Sequence, residues 1–148
     1  MSNSDALSHS VALEVRDACL CLHVQRAARA LARRFDEAFR PVGLTHGQFS
    51  LLMALNRPEP GTMARISRLL AMDRTTLTAN LKPLERRGLV ALSVDETDRR
   101  SRRMTLTDDG RALLARALPI WRATHAEVER GIAPADPDAL RAALVALG

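Results

Sequence analysis

The sequence predicts a mainly α-helical chain carrying one small antiparallel β-hairpin. Three observations predict it. Apolar residues recur at three- and four-residue steps over most of the chain, with helix-capping residues just ahead of them. Only two short runs, 89–94 and 102–106, alternate apolar and polar with a period of two. The breakers gather at Pro41 and Gly43, in RPEPG at 57–61 and in GIAPADPD at 131–138.

The first helix is expected from about Val15 to Phe39. Leu20, Val24, Ala27, Leu31, Phe35 and Ala38 form one stripe, with Arg26, Arg29, Arg33, Asp36, Glu37 and Arg40 mostly off it. So long an amphipathic helix near a chain end suits pairing with a partner chain. A second helix starts at Thr45, whose spacing to Gln48 makes a capping box. Phe49, Leu52, Met53 and Leu55 supply its apolar face.

Thr62 caps a short third helix, MARISRLLA, with Ile66, Leu69 and Leu70 expected inward. After a tight connection at Met72, Asp73 caps a fourth helix with Leu77, Leu81 and Leu84 inward, and Gly88 suits the position just past its end. Pro83 lies inside this helix, where a kink or irregularity is expected. Two short helices joined by so brief a turn have a helix-turn-helix layout. In the following hairpin Val90, Leu92 and Val94 share one side, Met104 and Leu106 face inward, and DETDRRS is the tip. Thr107 caps a fifth helix reaching about Arg130, with Leu113, Leu114, Ala117, Ile120, Trp121, Thr124 and Val128 on its apolar side and a bend expected at Pro119. ALRAALVAL forms a last short helix.

The totals bound the function. A chain of 148 residues, 47% hydrophobic and 26% charged, is expected to form one globular domain. No apolar run approaches the roughly 18 residues of a membrane span. The polar start MSNSDALSHS has no export signal, so the expected location is the cytoplasm. The net charge of +5 is concentrated: residues 62–106 hold ten basic and five acidic residues, leaving twelve of each sign elsewhere. A basic segment on a neutral body is the electrostatic footprint of nucleic-acid binding.

No Ser-His-Asp set, phosphate-cradling Gly loop or paired-carboxylate arrangement is present, so neither an enzyme nor a cofactor is expected. The four histidines (His9, His23, His46 and His125) show no metal-ligand spacing beyond Cys19 and His23, four residues apart. Cys19 and Cys21 are too few for a disulfide framework, and on one helix they would project to nearly opposite sides. Arg99, Arg100, Arg102 and Arg103, crowded behind Asp95, Glu96 and Asp98, leave two readings open: a solvated loop, or a finger for a polyanion.

GLTHGQFSLLMAL, LERRGLV and DETDRRSRRMTLTDDGRALL, in this order, resemble the MarR family of transcription regulators over roughly residues 15–130. In the last stretch the resemblance is carried by Asp98, Arg100, Leu106, Thr107 and Gly110. It implies a homodimeric winged helix-turn-helix protein within residues 1–148. Residues 15–40 and 108–148 would form the helical dimerisation region, and 45–107 the DNA-binding lobe, with its helix-turn-helix at 62–87 and its wing at 89–106. The partners implied are double-stranded DNA carrying a pseudo-palindromic operator, a second copy of the chain and a small-molecule effector. The activity implied is that of a repressor released by an aromatic or phenolic effector or by stress.

Arg74, Thr75, Thr76 and Thr78 open the fourth helix on faces its core leucines do not need. They suit base edges and phosphates, or simply a solvated surface, and Lys82 further along suits a phosphate. The resemblance places Arg100 in the minor groove. It leaves Arg99 and Arg102 as phosphate contacts or solvated neighbours, and Asp98 as support that orients a nearby arginine. Effectors in the family bind between the dimerisation helices and the winged lobe, which points to His23, Arg26, Phe49, Met53, Trp121 and His125, although the core reading is favoured for Phe49 and Met53. One branch of the family senses oxidants through a first-helix cysteine held by tyrosine hydroxyls. This chain has no Tyr, so that arrangement does not carry over, and packing as small apolar residues is favoured over a redox role for Cys19 and Cys21.

Overall fold

The computed structural model describes residues 7–148; the polar residues 1–6, part of the stretch read above for an export signal, lie outside them. The chain divides into two compact units, the first ending at Arg34 and the second running Phe35–Gly148.

The first unit contains α1 (His9–Ala18) and most of α2 (Leu20–Ala38). Where one continuous helix was expected, the chain breaks at Cys19, whose backbone is extended (φ −70°, ψ 109°). The Cys19 N–H still bonds to the Val15 carbonyl and closes α1, while its sulfur accepts the Leu22 N–H at 3.4 Å and caps the start of α2. Cys19 and Cys21 therefore do not lie on a common helix. Neither α1 nor α2 holds a buried residue, and Val15, Leu20, Val24 and Leu31 are exposed.

The second unit opens with the end of α2 and a 3-10 turn (Arg40–Val42) closed by Gly43 at φ +64°. Then come α3 (His46–Ala54), β1 (Gly61–Thr62), α4 (Met63–Leu70), α5 (Arg74–Arg86), β2 (Val90–Val94), β3 (Arg102–Leu106), α6 (Asp108–Gly131) and α7 (Pro137–Leu147). The expected caps form. Thr45 and Gln48 make both bonds of a capping box, and Thr62, Asp73 and Thr107 each accept a backbone N–H three residues on. The core joins Phe39, Phe49, Leu51 and Leu52 to Ile66, the three inward leucines of α5, Met104, Leu106 and the α6 residues Leu113, Leu114 and Ala117.

Several expectations are corrected. The sheet has three strands in the order β1-β3-β2, all antiparallel, because Gly61 and Thr62 pair with Met104 and Arg103 after the breaker run. Gly61 is needed there: a Cβ would come within 2.9 Å of Ile66. Leu69, expected inward, is 60% exposed; Ile66 is the buried residue of α4, with Met63 and Leu70 partly buried against the core. Val90 is 2% exposed but Val94 is 45%, because the hairpin leaves the core as it climbs. The positions of the expected irregularities, Pro83 and Pro119, lie inside α5 and α6, each of which runs on past its proline. Pro83 costs only the bond that Ala79 would have accepted, one turn from the C-cap.

Candidate nucleic-acid interface

The basic segment folds into two arms. α4 and α5 are joined through Ala71, which adopts a left-handed conformation (φ 50°) usually left to glycine. Ser67 secures the turn: its hydroxyl donates to the Met72 carbonyl, and its own carbonyl accepts the Met72 N–H at 3.0 Å. Asp73 then starts α5. Its carboxylate accepts the Thr76 N–H at 2.7 Å and the Thr76 hydroxyl at 3.0 Å, which together hold it below the usual carboxylate range. Arg74, Thr75, Thr76 and Lys82 are exposed and Thr78 half-buried, while Leu77, Leu81 and Leu84 anchor the opposite face. At the far end, the Arg87 guanidinium donates to the Gly43 carbonyl at 2.6 Å, tying α5 to the turn before α3.

The second arm is the β2–β3 hairpin, in register from Val90 opposite Leu106 to Val94 opposite Arg102. Beyond it the tip is held by polar bonds. The Asp95 N–H bonds to the Ser101 carbonyl at 3.0 Å, and the Ser101 N–H to the Asp98 carbonyl at 2.9 Å. Asp98 meets Arg100 at the backbone, its carboxylate accepting the Arg100 N–H at 3.0 Å. The acid that engages a guanidinium is Asp95, 6% exposed, which lies 3.1 Å from Arg103. Asp95 also accepts the Thr97 N–H and hydroxyl at 3.0 and 2.9 Å. Those Thr97 bonds, with Arg103 beside them, outweigh the cost of burial and hold the Asp95 carboxyl below its usual range. Nothing in the sequence singles out this pair: Asp95 is one of three clustered acids and Arg103 one of four crowded arginines.

Arg74 from α5 and Arg100 from the wing line one cleft of about 420 Å³, together with Asp98, Ser101 and the α4 residues Met63 and Ser67. Arg99 and Arg102 are exposed beside it. The two arginines singled out on different arms are therefore brought together, on an open surface able to receive phosphates and base edges.

The residues expected at an effector pocket are distributed over both units. Phe49, Met53 and Trp121 line a hollow of about 560 Å³ between α3, α4 and α6, walled also by Leu69, Leu70 and Leu118, with the Ser50 hydroxyl among mainly apolar side chains. Phe39, Phe49, Trp121 and His125 form a continuous ring stack, with centroids 4.7, 6.5 and 4.7 Å apart, and His125 lies 3.7 Å from Glu129. In the first unit, His23 and Arg26 line a shallow groove on α2 with Arg29 and Arg33, and His23 Nδ1 bonds to the Cys19 carbonyl at 2.7 Å. Among the described residues, no group of three or more His, Cys, Asp or Glu is placed to hold a metal, and no helix is long and apolar enough to cross a membrane.

Comparison with known proteins agrees with this geometry. The model of the MarR family matches residues 42–101. The organic hydroperoxide resistance transcriptional regulator of Bacillus subtilis is 30% identical over 101 residues, spanning 68% of this chain and 69% of that protein. The M. tuberculosis transcriptional regulator MosR, solved in complex with DNA, superposes with a TM-score of 0.78 at 39% identity, covering 87% of this chain and 92% of MosR. The transcriptional repressor CouR, bound to a 23-mer DNA duplex, has a TM-score of 0.78 at 31% identity, covering 90% of this chain and 94% of CouR.

Proposed function

The chain belongs to the MarR family of DNA-binding transcription regulators, and from that premise we propose that it is a homodimeric repressor released by a small aromatic anion. The observation that carries its DNA-reading role is the shared cleft of Arg74 and Arg100. In this reading, the first turns of α5 enter the major groove with Arg74, Thr75, Thr76 and Thr78, and Lys82 meets a phosphate. Arg100 enters the adjacent minor groove, whose negative potential favours an inserted arginine, with Arg99 and Arg102 on the backbone beside it. A two-fold dimer then reads half-sites about one helical turn apart. Dimerisation is supported by the apolar side chains that the terminal helices leave uncovered, Leu20, Val24 and Leu31 on α2 and Leu140, Leu144 and Val145 on α7. The effector would enter the apolar hollow at Phe49, Met53 and Trp121. Fluorescence anisotropy on the protein's own promoter DNA tests the proposal. Binding that is insensitive to salt, or indifferent to Arg74→Ala and Arg100→Ala, would sink it.

A second reading, release by oxidation, is favoured by one observation. Cys19 is a half-buried free thiol at the joint between α1 and α2, with its sulfur capping α2, and Cys21 two residues on is exposed. An oxidised sulfur would disturb that cap. Peroxide treatment should then weaken DNA binding in the native protein and not in Cys19→Ser; equal responses would dismiss this reading.

A further inference from the structure

We infer that the apolar hollow between α3, α4 and α6 is the inner half of a longer groove, whose outer half, at Arg111 and Asn56, is an anion site for an elongated amphipathic carboxylate. The inference rests on the effector reading above and narrows it.

The inner hollow is lined mainly by apolar side chains, with the Ser50 hydroxyl and the Trp121 indole as its polar groups and no charged residue. A carboxylate lying there finds no cationic partner among the residues that line it. The titratable group at that end, His125, is stacked on Trp121 and already faces the Glu129 carboxylate, itself 2.7 Å from Arg141. An anion approaching there would meet an acid.

A cation does stand at the other end. A second hollow of about 300 Å³ is lined by Met53, Asn56, Arg111, Leu114, Ala115 and Leu118. It shares Met53 and Leu118 with the first, so the two abut across those side chains. Methionine is unbranched and adaptable, and a wall made of it can move aside. Leu114 gives the outer hollow an apolar floor, while Arg111 and Asn56 are exposed at its rim. Neither makes an ion pair or side-chain hydrogen bond among the described residues. A guanidinium fork matches a carboxylate with two parallel hydrogen bonds, and an amide can add a third.

Spacing sets the length of the occupant. Arg111 and Trp121 both lie on α6, ten residues apart, which is about 15 Å at 1.5 Å per residue. A benzoate is too short to stack near Trp121 and reach Arg111 together. An ω-arylalkanoate or a medium-chain alkanoate spans both.

Trp121 is the only tryptophan in the chain, so its emission reports on the inner hollow directly. The full-length protein is titrated with benzoate, decanoate and decanol, and its affinity for promoter DNA is measured alongside. Decanoate should bind about tenfold or more tightly than benzoate. Arg111→Gln should weaken decanoate by about tenfold while leaving decanol binding, and DNA affinity without ligand, unchanged; Asn56→Ala should act in the same direction more weakly. Retained decanol binding shows that a variant is folded. If benzoate binds as well as decanoate, or Arg111→Gln leaves decanoate unaffected, the extended groove is wrong and a single-ring effector still stands. If Arg111→Gln weakens DNA binding without ligand, Arg111 belongs to the DNA surface and the inference falls. If no probe alters Trp121 emission, the inference and the effector reading fall together.

Discussion

The recognition helix α5 and the wing carry similar charge but are held in place by different forces. α5 is anchored by apolar packing, with Leu77 and Leu84 fully buried and Leu81 nearly so. Its contact residues ride on a rigid rod whose orientation the core decides. The wing has only Met104, Leu106 and Val90 at its base, and residues 96–100 are all exposed. Its tip depends on local polar bonds centred on Asp95 and Asp98. Packing resists change in pH and salt, whereas a polar network at a surface responds to both. The two arms of the proposed DNA surface should therefore fail in different ways.

The largest effect is expected from the helix arm. Leu77→Ala should cost about 2–5 kcal/mol of stability by leaving a cavity under α5, measured by urea denaturation, with DNA binding lost in proportion to unfolding. A loss under about 1 kcal/mol would show that packing does not hold this arm. Next comes Arg100→Ala, which should lower DNA affinity by about ten- to a hundredfold while leaving the melting temperature alone. Arg103→Ala should lower affinity less but also lower the melting temperature, because it strips the buried Asp95 of its cation. Equal affinity losses with unchanged melting in both variants would mean that the arginine run acts only as diffuse charge.

The wing's polar lock has a pH signature. The Asp95 carboxyl is held below its ordinary 3.8 by Thr97 and Arg103. Its stabilisation is thus fully present above about pH 4 and lost as pH falls through the lowered folded value. Two other acids add to the same acid limb. In Asp36, burial alone would raise the carboxyl, but the His46 backbone N–H, at 2.7 Å, and its ring, at 2.8 Å, outweigh it and lower it. Asp73 is lowered by Thr76. Asp95→Asn should therefore flatten part of the fall in stability below about pH 4, leaving the rest to Asp36 and Asp73; an unchanged profile would show that the pair does not lock the wing. The smallest effect is that of Lys82→Ala, which should weaken binding modestly on every DNA sequence and reduce the slope of log affinity against log salt by about one. Any sequence preference in that loss would move Lys82 from phosphate to base contact.

How much of this was legible follows the range of each signal. The caps at Thr45, Thr62, Asp73 and Thr107, the inward leucines of α5 and the alternation in β2 and β3 are set by residues a few positions apart, and all were readable. So was the concentration of positive charge on α4, α5 and the wing, because the whole net charge lies there. In the candidate site, Arg74 and Arg100 could be named, though not their meeting in one cleft, since 25 intervening residues must fold back to bring them together.

What only the tertiary structure decided involves partners distant in sequence or backbone states without a residue signature. The break at Cys19 occurs without glycine or proline, and the left-handed turn at Ala71 uses a good helix former. β1 exists only because β3 offers it a free edge, and Leu69 borders the hollow between α3, α4 and α6 instead of joining the core. Asp95 is distinguished from Glu96 and Asp98 by Arg103 on the neighbouring strand. The sequence by itself determined which segments are helical and where the charge sits, because hydrophobic period, capping and charge are local sums. Packing decided which side chains meet, because burial and ion pairing depend on groups that only the folded chain brings within reach.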